Sequence, residues 1–246
     1  MPVYFIEPEA IQGERVAVAG PLAHHLVESL RIQSGEELWF GHSGGSRFRA
    51  RVLDADAGRL TAHILATSVP PPISSPQITL GLALIKNEHM DWAMQKATEL
   101  GVARLTPLMT SRTVIRPRAE RLSHRMARWR AIAREAAQQS MRWEIPEVTE
   151  PESFEIWCER QQKVNCRLLL WENPEGSLLK GLLRGRSRPE TIAVAIGPEG
   201  GFDDQEVTKA QQKGFETVSL GSRILRTETA VLATLAVIQY ELADLG

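Results

Sequence analysis

Apolar and polar residues alternate in short runs through the first third of the chain, and then the rhythm changes. Residues 3–6, 15–19, 37–40, 47–53 and 60–65 carry the two-residue period of half-buried strands, punctuated by turn signals such as Ser43-Gly44-Gly45 and Asp56-Ala57-Gly58. One stretch breaks that period: 21–31 places Leu22, Leu26 and Leu30 on one helical face. So many short strands in so little chain predict a small β-barrel. Beyond residue 76, continuous apolar runs at 78–85, 105–108, 167–171, 192–196 and 217–220 alternate with helical periodicity at 88–100, 119–141, 151–162, 203–213 and 227–242. Strands without a polar face, alternating with helices, predict a parallel sheet covered on both sides. Between the two regions stands Val69-Pro70-Pro71-Pro72-Ile73-Ser74-Ser75-Pro76, a stiff, helix-incompatible connection. The expected organisation is a barrel at 1–72 and an α/β domain at 73–246.

Two glycine-bearing loops are the strongest candidates for a site. Gly197-Pro198-Glu199-Gly200-Gly201 follows an apolar strand, and the carboxyl ends of parallel strands are where open α/β sheets bind ligands. The turn does not match G-x-G-x-x-G, so a dinucleotide fold fits poorly. The second loop, Leu220 to Arg226, also ends a strand and leads into a helix for which Thr227 is the expected N-cap and Glu228 a first-turn acid. That last helix (Val231, Leu232, Ala233, Leu235, Ala236, Val237, Ile238) has almost no polar face, which predicts burial on several sides and hence a subunit interface. Lys86 closes a strand. After it Asn87 is the expected helix cap, Gly101 the expected terminator, and Lys96 with Glu99 a local ion pair.

Charge adds one local feature. The whole chain carries −1, yet between Arg112 and Arg142 there are nine arginines, no lysine and only two acids, Glu120 and Glu135. Arginine binds phosphate through a two-pronged fork, so this segment favours nucleic-acid contact over a merely solvated helix face. Glu135, Gln139 and Arg142 are expected to share one helical face. No helix-turn-helix or finger signature points to DNA. The two cysteines, Cys158 and Cys166, lie outside any CxxC pair and the histidines show no ligand spacing, so the expectation is reduced thiols, a cytoplasmic setting and no metal. No apolar run approaches the roughly 20 residues that span a bilayer, and residues 1–5 lack the regions of a signal peptide.

Taken together, five segments resemble one family: residues 96–102, 129–142, 196–202, 220–230 and, near the start, His24-His25-Leu26-Val27-Glu28-Ser29-Leu30-Arg31. They are similar to the SPOUT-class methyltransferases that modify N3 of a uridine in 16S ribosomal RNA. The resemblance implies a PUA-like RNA-binding barrel followed by a trefoil-knotted α/β domain, a homodimer, and S-adenosyl-L-methionine as cofactor. It implies that Leu170, Glu172, Ile196, Gly197, Pro198, Glu199, Gly200, Leu220, Gly221, Ile224, Leu225, Thr229 and Ala230 surround that cofactor. Arg226 is the implied catalytic residue, with Glu199 or Glu228 accepting the N3 proton. Arg31, Lys86, Arg112, Arg116 and Arg142 are the implied contacts to ribosomal RNA or the small subunit. The chain departs from many relatives at Pro2-Val3-Tyr4-Phe5, where they carry an arginine before the aromatic pair. The rival readings are a knotted methyltransferase for another RNA nucleoside and an RNA-binding protein without turnover.

Overall fold

A computed structural model of the chain describes residues 2–42, 45–56, 58–71, 76–115, 119–172, 177–184 and 187–242. The turn residues 43, 44 and 57, linker residues 72–75 and Arg116 lie outside the described residues. The chain divides into two compact units. Met1–Pro72 together with Ala137–Ile145 make the first, Ile73–Ala136 together with Pro146–Gly246 the second. The division at 72/73 thus treats as continuous a first unit that also includes 137–145.

The first unit is a six-stranded mixed sheet in the order β1-β4-β5-β6-β3-β2. Its strands are β1 (Val3–Phe5), β2 (Ile11–Gln12), β3 (Arg15–Ala19), β4 (Glu37–Gly41), β5 (Arg47–Asp56) and β6 (Arg59–Ser68). β1 pairs parallel with β4 and the other pairings are antiparallel. The long β5–β6 ribbon shifts register near Ala50 and again near Asp54, and such bulges bend a ribbon and increase its twist. The curled sheet therefore closes its inward residues into one core, where Tyr4, Val16, Val18, Leu38, Phe40, Phe48, Val52 and Leu60 meet. Arg49 and Arg51, between the buried positions of β5, face outward as the alternation requires.

The expected helix at 21–31 is shorter than its pattern suggests. α1 (Pro21–His24) runs into a wider π turn over His25–Ser29, closed by the Leu30 N–H donating to the His25 carbonyl at 3.0 Å. The wider turn shifts the register, so Leu26 is fully buried while Leu30 is 44% exposed and leaves the apolar face.

Residues 137–145 carry a second departure. α3 (Ala119–Gln139) ends two residues short of expectation because Met141 adopts φ 54, a left-handed conformation usually given to glycine. The Arg142 N–H then turns back to the Ala137 carbonyl at 2.9 Å, so Arg142 does not continue the face of Glu135 and Gln139. The segment packs on the sheet of its own unit. Gln138 Oε1 accepts from the Phe5 N–H at 3.2 Å, and the Arg47 guanidinium donates to the Met141 carbonyl and stacks 3.7 Å over Trp143.

The second unit is an eight-stranded sheet in which every pairing is parallel. Along it run β10 (Glu152–Ser153), β8 (Arg104–Met109), β7 (Gln77–Ala83), β13 (Thr191–Ile196), β11 (Cys166–Leu170), β14 (Glu216–Ser219) and β12 (Ser177–Leu178), with β9 (Glu147–Val148) on β8. The short strands β9, β10 and β12 and the helix α5 (Leu179–Arg184) carry too little pattern to have been anticipated. On one face α4 (Phe154–Arg160) and α6 (Asp204–Gln212) cover Ala193 and Ala195 through Phe154, Trp157, Phe202 and Val207. Small residues make that approach possible: a Cβ on Gly81 would stand 2.7 Å from the Trp157 ring. The intervening residues of β13 face the other side, where α7 (Thr227–Leu242) packs beside α2 (Asn87–Glu99). α7 buries Val231, Thr234, Leu235, Ile238 and Leu242, and leaves Leu232, Ala233, Ala236 and Val237 half-buried. No helix among the described residues is long and apolar enough to cross a membrane.

Candidate active site

The parallel registers bring four strand ends to one edge. Leu170 pairs with Ile196 and with Val218, and Ile196 pairs with Leu82, so β7, β13, β11 and β14 stop nearly level. The segments beginning at Leu84, Gly197, Trp171 and Leu220 therefore emerge side by side, where open parallel sheets bind ligands. The Trp171 N–H donates to the Val218 carbonyl at 3.1 Å and keeps Glu172, which is exposed, next to the second loop.

The 197–201 turn needs glycine for two different reasons. At Gly201 the reason is conformation: φ is +67, and its N–H closes the turn on the Pro198 carbonyl at 2.9 Å. At Gly197 it is space, since a Cβ there would stand 3.2 Å from the Phe202 ring and the Gly201 carbonyl carbon. Asp203 then caps α6 through a capping box with Glu206. Residues from the end of β8 join this turn, which sequence reading did not anticipate. Arg112 Nη1 donates to the Gly200 carbonyl at 2.9 Å, and Ser111 donates its N–H and hydroxyl to Glu206 at 2.8 and 2.9 Å.

In the second loop Gly221 takes φ +115, and its N–H donates to Ser219 Oγ at 3.1 Å. Ile224 is 79% exposed, a large apolar side chain open to solvent in this loop. The N–H groups of Ile224 and Leu225 have no hydrogen-bond partner among the described residues. Arg226 holds the capping position expected of Thr227: its carbonyl accepts from the Ala230 N–H at 2.8 Å. The buried Thr227 hydroxyl is instead spent on the Gly197 carbonyl, at 3.2 Å. That bond joins the two loops directly. Thr229 is exposed and Ala230 half-buried in the first turn beyond it.

The charged candidates separate clearly. The Arg226 guanidinium and the Glu199 carboxylate are exposed and have no side-chain partner among the described residues. Glu228 is committed to His89, with Nδ1 to carboxylate 2.9 Å. Lys86 is exposed just before α2. The helix begins at Asn87, so Lys86 rather than Asn87 holds the cap position. Lys96 and Glu99 form the expected pair at 2.8 Å, and Gly101, at φ +84, follows the helix end.

The arginines differ just as much. Arg31 is exposed in the left-handed region, at φ 57. On α3 the buried face is Met126, Trp129, Ala133 and Ala136; opposite it Arg121, Arg128, Arg130 and Arg134 are exposed. Arg128 is tied to Asp91 at 2.7 Å. Burial pulls the Arg142 guanidinium down to about 10, partly opposed by the Glu144 charge. Among the described residues no three His, Cys, Asp or Glu side chains gather as a metal site. Both cysteines are buried and neither forms a disulfide.

The chain thus combines a small β unit with a parallel α/β unit whose strand ends carry two joined glycine loops. Residues 73–239 match the RNA methyltransferase domain family and residues 18–65 the RNA methyltransferase PUA domain family, so the chain belongs to this RNA methyltransferase family. Within it, the chain is 35% identical to the ribosomal RNA small subunit methyltransferase E of Synechocystis sp., over 94% of this chain and 75% of that one. It is 27% identical to the protein of the same name from Bacillus subtilis, over 97% and 96%. Its fold follows the crystal structure of that methyltransferase from Neisseria gonorrhoeae bound to S-adenosyl methionine, with TM-score 0.87 and 30% identity over 98% and 97% of the two chains. The second unit has the SPOUT-class fold and the first the PUA-like fold that the sequence implied.

Proposed function

We propose that the chain transfers a methyl group from S-adenosyl-L-methionine to N3 of a uridine in 16S ribosomal RNA, working in the cytoplasm as a homodimer. The observation that carries this reading is the Thr227–Gly197 bond, which joins the two loops and leaves Arg226 and Glu199 unpaired beside the junction. The loops fit the cofactor's chemistry. Gly197, Gly201 and Gly221 let backbone approach closely, the Ile224 and Leu225 amides offer donors, and the exposed Ile224 side chain offers apolar cover for a purine. Leu170, Glu172, Ile196, Pro198, Gly200, Leu220, Thr229 and Ala230 complete the enclosure. When bound, S-adenosylmethionine supplies an electrophilic methyl group and leaves as a neutral thioether, so the transfer needs no metal.

The chain's own groups handle the proton and the charge. Uracil N3 bears a proton that must leave before its lone pair can attack, and the charge left behind spreads onto the ring carbonyl oxygens. Glu199, free of partners, accepts that proton; Glu228 is already engaged by His89. Arg226 donates to a uracil carbonyl oxygen and stabilises the developing anion. The target base must leave its stack to reach this edge, so flanking RNA needs its own holds. Arg31, Lys86, Arg116 and Arg142, with the exposed arginines of α3, are the cations for that work. The half-buried stripe of Leu232, Ala233, Ala236 and Val237 supports a second copy packing on α7. The test is methylation of free 16S RNA and of 30S particles by the purified protein, with the product nucleoside identified by mass spectrometry. A product other than 3-methyluridine refutes the reading.

A further inference from the structure

We infer that Arg112 is a positioning residue for the cofactor-holding turn, rather than a contact to RNA. This rests on the proposed role of the 197–201 turn, and it concerns the one peptide in that turn flanked by two glycines. Gly200 and Gly201 place almost no steric limit on the peptide plane between them, which can therefore rotate at little cost. A rotated plane would carry the Gly200 carbonyl and the Gly201 N–H away from their places, and the Gly201 N–H closes the turn on Pro198.

Arg112 removes that freedom. Its Nη1 donates to the Gly200 carbonyl at 2.9 Å and its Nη2 stands 3.6 Å from Asp203 Oδ2, so the planar fork spans the turn from Gly200 to the cap of α6. The aliphatic stem covers the same glycine: a Cβ on Gly200 would lie 3.6 Å from Arg112 Cβ and 3.7 Å from Cδ. The base from which Arg112 projects is itself fixed. Thr110 and Thr113 are buried and bond each other through their hydroxyls at 2.8 Å, and the Thr110 N–H donates to Thr113 Oγ1 at 3.0 Å. Ser111 is held by two bonds to Glu206, whose carboxylate also accepts from the Asp203 N–H at 3.0 Å. A stapled turn aimed at one carbonyl is what positioning needs.

The test compares wild type, Arg112→Ala and Arg112→Lys, with ligand binding and amide exchange measured in the absence of RNA. S-adenosylhomocysteine binding is followed by calorimetry, the Gly201 amide by hydrogen exchange, and, separately, 16S RNA binding by filter retention. The expected result is that both variants bind S-adenosylhomocysteine about five- to tenfold more weakly and exchange the Gly201 amide faster. RNA affinity should stay within about twofold of wild type. Lysine is the discriminating variant: it keeps the charge that a phosphate would need but lacks the fork. If Arg112→Lys keeps wild-type amide protection and ligand affinity while Arg112→Ala loses RNA affinity, the inference is overturned. Unchanged amide exchange in both variants overturns it as well. If wild type binds no S-adenosylhomocysteine, the proposed function falls, and the amide exchange still decides the role of Arg112.

Discussion

His89 Nδ1 stands 2.9 Å from the Glu228 carboxylate, joining the first turn of α2 to the first turn of α7. Glu228 is the less accessible partner, with 14% of its side chain exposed against 38% for His89, so the pair is partly screened and its worth is modest. Its importance lies in what it withholds: a carboxylate already bonded to another side chain is less available to a substrate proton than one that is not.

Glu199→Gln is therefore expected to lower kcat about a hundredfold, the order expected for losing a general base. Cofactor binding should be nearly unaffected. Glu228→Gln should instead lower thermal stability by a few degrees and leave kcat within a few-fold. Stopped assays at saturating RNA, beside thermal melts of both variants, check the assignment; the reverse pattern would transfer the acceptor role to Glu228.

Arg226→Ala is expected to reduce methyl transfer by about a hundred- to a thousandfold, the usual loss for one preorganised donor to a developing anion. The Arg226 guanidinium has no side-chain partner among the described residues, so the fold and S-adenosylhomocysteine affinity should survive. Calorimetry beside a tritium-transfer assay separates the two effects. A variant with normal turnover would falsify the proposed role.

Gly81→Ala tests the packing beneath the site. A Cβ there meets Trp157 at 2.7 Å and Leu108 at 2.8 Å, and neither can move without disturbing the α4 face. Overpacking of this kind costs about 1–3 kcal/mol. Urea unfolding of the variant measures it directly.

The Cys158 thiol is pushed up to about 12, first by burial and then by the Glu206 charge. In native protein at pH 8 it should resist iodoacetamide, reacting only after denaturation. The linkage has a definite sign. The unfolded chain loses this proton from about pH 9 upward while the folded chain keeps it, so the thiol's share of stability falls between pH 9 and about 12. Unfolding midpoints at pH 8 and pH 10, for wild type and Cys158→Ser, give the comparison.

Much of this was readable because it depends on neighbours in sequence. The strand of residues 15–19 and the helix from Thr227 to Leu242 fall where alternation and apolar density put them. Gly201 and Gly221 announced themselves because glycine takes a positive φ at the least cost. What stayed hidden depends on partners far along the chain. Nothing near Met141 signals a left-handed residue, because its bends are stabilised by Arg47 and the Ala137 carbonyl. Thr227 looks like any helix cap until Gly197 claims its hydroxyl. Arg112 reads as one cation among nine, and only the fold puts it over Gly200.

The hydroxyl that joins Thr227 to Gly197 also sets a timetable. Its two ends are 30 positions apart, so Thr227 is translated after the glycine turn that it braces. During synthesis the glycine turn is exposed before its brace exists, and no partial chain that stops short of residue 227 can hold the two loops together. The junction of the two loops thus waits for α7, and a chain cut before residue 227 lacks the brace between them.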